Sequence, residues 1–584
     1  MTLALLPPRR QGSRPAAEAP TAPPDRARRF PRALPWLLAA GVLAQAAVRL
    51  WFAWARTGPA ANPDETGYLL AARLLAGGPG GDLSGNTFYQ GGYPLVLAPA
   101  YWFSHEPATV YTTVMAINAV LGALLFPLGY AAARRFGLAR RSALPLAFAA
   151  ALLPATTFFG AFALADAVLP TLVLAWLLAL DRFVRGGRAL DAALASLVAS
   201  CTAAVHTRGS VLLAVHCAAL LVTALPGRRR IRAVLAGGAV AVAGYAAGAA
   251  LNAHIRAELY PRGTRDLAGI LTSRLTTVPG QEWALSGAAG QLWYLIVSTW
   301  GLAGAGLVAV AAVLARRRAP AADRIMAGVL LAATCGIAYA SSAALPDEHR
   351  VGNFAYGRYL ACVALVYALA GAAALMRLAT GRAVGLAAAC ALLLGGSGVW
   401  VAAYAGERLR THVFIGFDFP EVTFLTADRG ALHLREATLA ALALLCGLLV
   451  ASRLNRTALT AVALAGVNLA ALAFVMGPHA RRVPAEPPLA GPASGGVVTD
   501  ASLNWAVRTA LMYPVWWTRL GTFDVRAGRP PAPGVCTVVV PLPEGTRPEA
   551  SWPAHPAGWR PHAGRFWSLG WVGWHDPSCA GPAQ

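Results

Sequence analysis

The chain has 584 residues, 57% of them apolar and only 13% charged, with a formal net charge of +23. So small a charged fraction excludes an ordinary soluble enzyme, in which about a quarter of residues are charged, and a mean hydropathy of +0.53 excludes a disordered chain. All 49 basic residues are Arg, beside 59 Gly and 41 Pro, a bias expected of a GC-rich, bacterial genome.

Residues 1–32 are rich in Pro, Ala and Arg and are expected to be a disordered cytoplasmic leader. Thirteen hydrophobic stretches near 20 residues follow: 33–53, 109–133, 142–160, 167–184, 189–206, 209–226, 233–254, 290–315, 325–345, 358–376, 383–403, 437–452 and 457–476. Each is expected to be helical, because lipid offers no partner to free backbone groups. The Arg residues then set the orientation. The leader and alternate breaks carry 26 Arg against five acids, while the rest of the chain carries 23 Arg against 21 acids. The excess is therefore a positive-inside signal, which makes nucleic acid an unsuitable partner and the cell membrane the expected location.

An odd number of spans puts residues 477–584 outside. They hold eight of the 17 Trp, many Pro, strand-like runs such as Val538-Val539-Val540, and two cysteines, Cys536 and Cys579, which an oxidising compartment would permit to pair. The expected architecture is an all-α polytopic membrane protein over 33–476 with a small α+β or β-rich extracytoplasmic domain at its C-terminal end. No metal-ligand spacing of the CxxC or HExxH kind is present.

Chemistry is expected on the outer face, where three loops are long: 54–108, 255–289 and 404–436. In the first, Asn62-Pro63-Asp64-Glu65 reads as a helix start, and Tyr68, Ala71, Ala72 and Leu75 recur at helical spacing until Gly77-Gly78. Acids in a first turn are also favoured by the helix dipole, so Asp64 and Glu65 weigh equally as capping and as catalytic residues. Residues 93–104 are apolar but too short to cross a bilayer and are expected at its interface.

Three further outer positions tilt that balance. Asp166 lies in the turn between the third and fourth spans, where apolar flanks make a carboxylate costly unless it has a partner. His206-Thr207-Arg208 occupies the next outer turn, and Tyr356-Gly357-Arg358-Tyr359 opens the tenth span, with His349 just before it. Either Arg could simply snorkel to the interface. Together, however, guanidiniums suited to phosphate and carboxylates suited to deprotonating a hydroxyl lie at one membrane depth.

At these residues the sequence resembles the GT-C superfamily of membrane glycosyltransferases, most closely the branch of protein O-mannosyltransferases and the aminoarabinose transferase of lipid A. The resemblance rests on Arg49, on Asp64-Glu65 followed by Tyr68 and Ala72, and on Tyr93-Pro94 after Gly91-Gly92. Asp166, Thr207-Arg208 (where the family often has Lys) and Arg358-Tyr359 complete it. It implies a GT-C-like fold and transfer of a sugar from a polyprenyl-phosphate donor to a lipid, protein or glycan acceptor, with inversion. Asp64 would be the general base, Glu65 would orient the acceptor or Asp64, and Asp166 would hold sugar hydroxyls or an Arg. Arg208 and Arg358 would hold the phosphate, with Tyr359, Tyr68, Tyr93 and His349 lining the substrate site. Relatives differ over a divalent cation at the acidic pair, and the resemblance leaves that cofactor open. A lipid-linked-sugar flippase is the alternative, which would require functional polar groups at mid-span such as Gln45, Asn118, Asn252 and Asn468.

Overall fold

A computed structural model describes residues 26–224, 230–454, 457–477, 489, 496–513, 520–566 and 568–579. Residues 1–25 of the expected disordered leader lie outside these; from Arg26 the chain is already helical, and the first helix runs unbroken to Ala53. All thirteen hydrophobic stretches are largely helical over their described residues, but they are not thirteen equal spans. Among the described residues nine helices are long and apolar enough to cross a membrane, or eleven if two bent pairs each count as one span. The third stretch breaks at Leu152-Leu153 before Pro154, bending by 62°, because proline cannot continue the hydrogen-bond ladder behind it. The eighth breaks between Val297 and Leu302, bending by 114° at Trp300 and Gly301, both of positive φ. Leu169–Gly186 carries Asp181, Arg182 and Arg185 on its last turns, and Ala189–Val205 is only 17 residues long.

Polar groups stitch the apolar helices together. Gln45 donates to the Phe148 carbonyl (2.9 Å), and Asn468 links the indole of Trp300 (2.7 Å) to the Ala149 carbonyl (2.8 Å). Asn118 accepts from Tyr93 (2.9 Å) and donates to the Phe162 carbonyl (2.8 Å), and Asn252 accepts from the Gly91 amide (2.8 Å). These are the mid-span groups a transport pathway would have used, and each is spent on packing.

The C-terminal region is a mixed sheet of five strands: β1 (Gly496–Asp500), β2 (Leu520–Phe523), β3 (Val535–Leu542), β4 (Arg560–Phe566) and β5 (Leu569–His575), in the order β2-β1-β3-β5-β4. β1 pairs in parallel with β2 and β3, and β5 runs antiparallel between β3 and β4. Cys536 and Cys579 form a disulfide. One sheet face packs Val538, Val540, Val572 and Trp574 under Trp552, whereas Val497, Val539 and Trp571 share a core with Val507, Leu511 and Met512 of the helix Trp505–Met512. That second core also takes in Leu70 and Ala71 of the loop 54–108. Three of the eight tail tryptophans (516, 517 and 567) lie outside the described residues.

Candidate active site

The loop 54–108 does build a helix, Asp64–Leu75, beginning slightly later than the sequence suggests: Pro63 takes the cap position, and the Asn62 side chain accepts from the Thr66 hydroxyl instead of a backbone amide. Asp64 thus stands on the first turn without capping it. Its Oδ1 accepts from the Tyr89 hydroxyl (2.9 Å) and its Oδ2 pairs with Arg358 Nη1 (2.8 Å), leaving the side chain 34% exposed. Arg358 is the hub. Its Nε pairs with Asp166 Oδ2 (2.8 Å), and the other oxygen of Asp166 pairs with Arg208 Nη2 (2.7 Å).

Four charges from four separate segments therefore form one chain, Asp64–Arg358–Asp166–Arg208, three of them buried. Burial alone would drive a proton onto Asp166, but Arg208 and Arg358 outweigh it and hold the carboxyl well below the usual range. The two arginines are not equivalent. All three side-chain nitrogens of Arg208 already donate: Nη2 to Asp166, Nη1 to the carbonyls of Arg358 and Tyr359 (3.2 Å each), and Nε to His206 Nδ1 (3.3 Å). Arg358 Nη2 has no acceptor among the described residues.

Glu65 stands apart from its neighbour. Fully buried, it accepts from the amides of Ala60 and Ala61 (2.6 Å each), the Tyr111 hydroxyl (2.5 Å) and the Ala163 amide (2.7 Å). It shares no partner with Asp64, because consecutive helical residues point about 100° apart. The acidic pair therefore does not converge as a cation site, and among the described residues no three His, Cys, Asp or Glu side chains gather to hold a metal.

Tyr68 is buried between Tyr89 (ring centroids 5.1 Å) and Tyr93 (5.2 Å), beneath Asp64 and Asp166. Tyr359 packs on Tyr356 (4.6 Å) with the Arg208 guanidinium 5.2 Å from its centroid. His349 does not join this group: with a φ of 53° it turns outward and stacks on His412 (5.5 Å).

The structure adds residues that the sequence gave no pattern for. Tyr89 is one. Another is Asp418, from the loop 404–436, buried beside Arg350 Nη1 (3.6 Å), its Oδ2 accepting no hydrogen bond from the described residues; burial pushes its carboxyl up to about 6 despite Arg350 and Arg358. Next to it, Glu421 accepts from Tyr294 (2.6 Å) with its other oxygen buried and unpartnered, and burial lifts it to about 7. A carboxyl raised from 4.5 in the unfolded chain contributes stability at low pH that is lost as pH climbs to about 7. Glu421→Gln keeps the Tyr294 contact without the charge. Thermal melts of the solubilised protein are expected to show wild type losing on the order of 3 kcal/mol against this variant between pH 5 and pH 8. Parallel melting curves would contradict it.

No protein-family model matches the sequence, and no curated protein matches it. Solved structures do. ArnT from Cupriavidus metallidurans bound to undecaprenyl phosphate has a TM-score of 0.52 to this chain at 15% identity, covering 94% of this chain and all of ArnT. The apo state of ArnT gives 0.50 with the same identity and coverage. Arabinosyltransferase EmbB from Mycobacterium smegmatis, also 15% identical, has a TM-score of 0.43, with 95% of this chain matching 48% of EmbB.

Proposed function

Built on the GT-C membrane-glycosyltransferase fold, this chain is, we propose, a glycosyltransferase that moves a sugar from a polyprenyl-phosphate donor to an acceptor on the outer face of the membrane, with inversion. The observation that supports it most is the half-open carboxylate of Asp64, set on a guanidinium with one free nitrogen and backed by a second, buried ion pair.

In this reading the acceptor hydroxyl or amine reaches Asp64 from the open side and gives up its proton to Oδ1 or Oδ2 as it attacks the anomeric carbon. The bond from that carbon to the phosphate oxygen breaks as the new one forms. Charge building on the departing phosphate is met by Arg358 Nη2. Arg208, whose nitrogens are all engaged, positions Arg358 and Asp166 instead of touching the phosphate. Asp166 fixes the plane of both guanidiniums. Glu65 ties the loop before the Asp64 helix to the turn that carries Asp166, a positioning role. Tyr89 orients Asp64, and Tyr68, Tyr93 and Tyr359 form the wall around it.

The test is direct. Purified protein in lipid, given a labelled polyprenyl-phosphate sugar and a membrane extract as acceptor source, should release polyprenyl phosphate and pass the label on. Label that crosses vesicles while still joined to its lipid would sink the reading in favour of a flippase.

A further inference from the structure

The ion-pair chain is short of free donors for an anion. Two carboxylates face two guanidiniums, every side-chain nitrogen of Arg208 already donates at least once, and Arg358 offers a single nitrogen. A phosphate leaving group presents several oxygens that carry charge and is held best by paired donors.

Arg56 has what these two lack. It follows the first helix by three residues and is half-buried, with its guanidinium carbon 3.8 Å above the centroid of the Phe162 ring. Among the described residues none of its side-chain nitrogens has a hydrogen-bond acceptor, it makes no ion pair, and its Nε is buried with no hydrogen bond. Burial pulls its pKa below the ordinary guanidinium value, and the nearest counter-charge, Glu65, is already occupied by four donors. A buried donor without a partner costs about 1–3 kcal/mol, so so open a guanidinium calls for an acceptor that arrives from outside.

Its position says which one. Phe162 packs edge-on to Phe417 (4.8 Å), and Phe417 packs on Phe159 (5.5 Å), the ring beneath Arg358 (5.7 Å to the centroid). Arg56 and Arg358 thus each lie near a ring of one edge-to-face aromatic cluster, Arg56 with its nitrogens unengaged by the described residues and Arg358 with Nη2 alone left for a ligand.

We infer that Arg56 binds the phosphate of the lipid carrier, taking it as a paired clamp from one side of this aromatic cluster while Arg358 Nη2 meets it from the other. The inference rests on the glycosyltransferase reading for the identity of the anion as a lipid phosphate; the seat itself is chemically one for any phosphate ester.

Binding of undecaprenyl phosphate, undecaprenol and inorganic phosphate to the purified full chain separates the cases. Wild type should bind undecaprenyl phosphate and not the alcohol, with inorganic phosphate competing weakly. Arg56→Ala should weaken the lipid phosphate roughly 10- to 100-fold and abolish that competition. Arg56→Lys should recover only part of the loss, since an ammonium cannot make the paired contact. Arg56→Gln, which keeps its stem over Phe162, replaces the Ala variant if that one melts early. Unchanged lipid affinity in folded Arg56 variants would overturn the inference and leave the glycosyltransferase reading intact. Failure of the wild type to bind undecaprenyl phosphate at all would overturn both.

Discussion

Asp64→Asn is expected to lower turnover by roughly 10²–10⁴-fold, about 3–5 kcal/mol in the barrier, with little change in donor affinity. Asparagine preserves the shape and can still accept from Tyr89, but it cannot take up a proton or carry the charge that pairs with Arg358. Because the side chain is partly exposed and the paired Arg358 keeps Asp166, the fold should hold and expression should stay near wild type. Asp64→Glu should also be poor, since one more methylene carries the oxygens past the positions set by Tyr89 and Arg358. Steady-state kinetics with labelled donor separate the two terms. A kcat unchanged in Asp64→Asn would make the residue a helix-start acid and nothing more.

Asp166→Asn is expected to damage the protein itself, not only its activity. Asp166 is buried and compensates two buried guanidiniums at once, and removing one partner of such a group costs about 3–5 kcal/mol by stranding the other. The variant should melt well below wild type in detergent. Its effect should not be additive with Arg208→Ala, because both remove the same contact. The pH dependence follows in sign: a carboxyl held below its unfolded value stabilises the fold above about pH 4 and loses that contribution only as acid drives pH down toward its depressed pKa. A fully stable Asp166→Asn would mean that the two arginines find other partners.

Much of this site was legible in the sequence, for a physical reason. Asp166, Arg208 and Arg358 stand out because charges amid apolar sequence need partners, and the structure gives them each other. Adjacency was a poorer guide. Asp64 and Glu65 are neighbours on the chain but diverge on the helix, and Glu65 is consumed by backbone amides that no side-chain pattern reveals. His349 lies close to Arg358 along the chain, yet a left-handed turn carries it outward. Asp418 and Glu421 come from a loop with no periodicity. Arg56 did leave a signal: a lone Arg just past the first hydrophobic stretch, on the side from which the Arg count leads one to expect Arg to be sparse. The span count blurred because proline and positive-φ breaks are local features that hydropathy averages away.

The helix Asp64–Leu75 has a further consequence. Its first residue carries the carboxylate, while Leu70 and Ala71 are packed against the C-terminal sheet region and Arg73 donates to the carbonyls of Pro79, Gly80 and Met512. Twelve residues make a rod about 18 Å long, so a tilt of roughly 5° about the anchored end swings the other by about 1.5 Å. A swing of that size exceeds the tolerance of a hydrogen bond. The C-terminal sheet region is in mechanical terms the fulcrum of that rod, and loosening it would disarm a carboxylate it never touches.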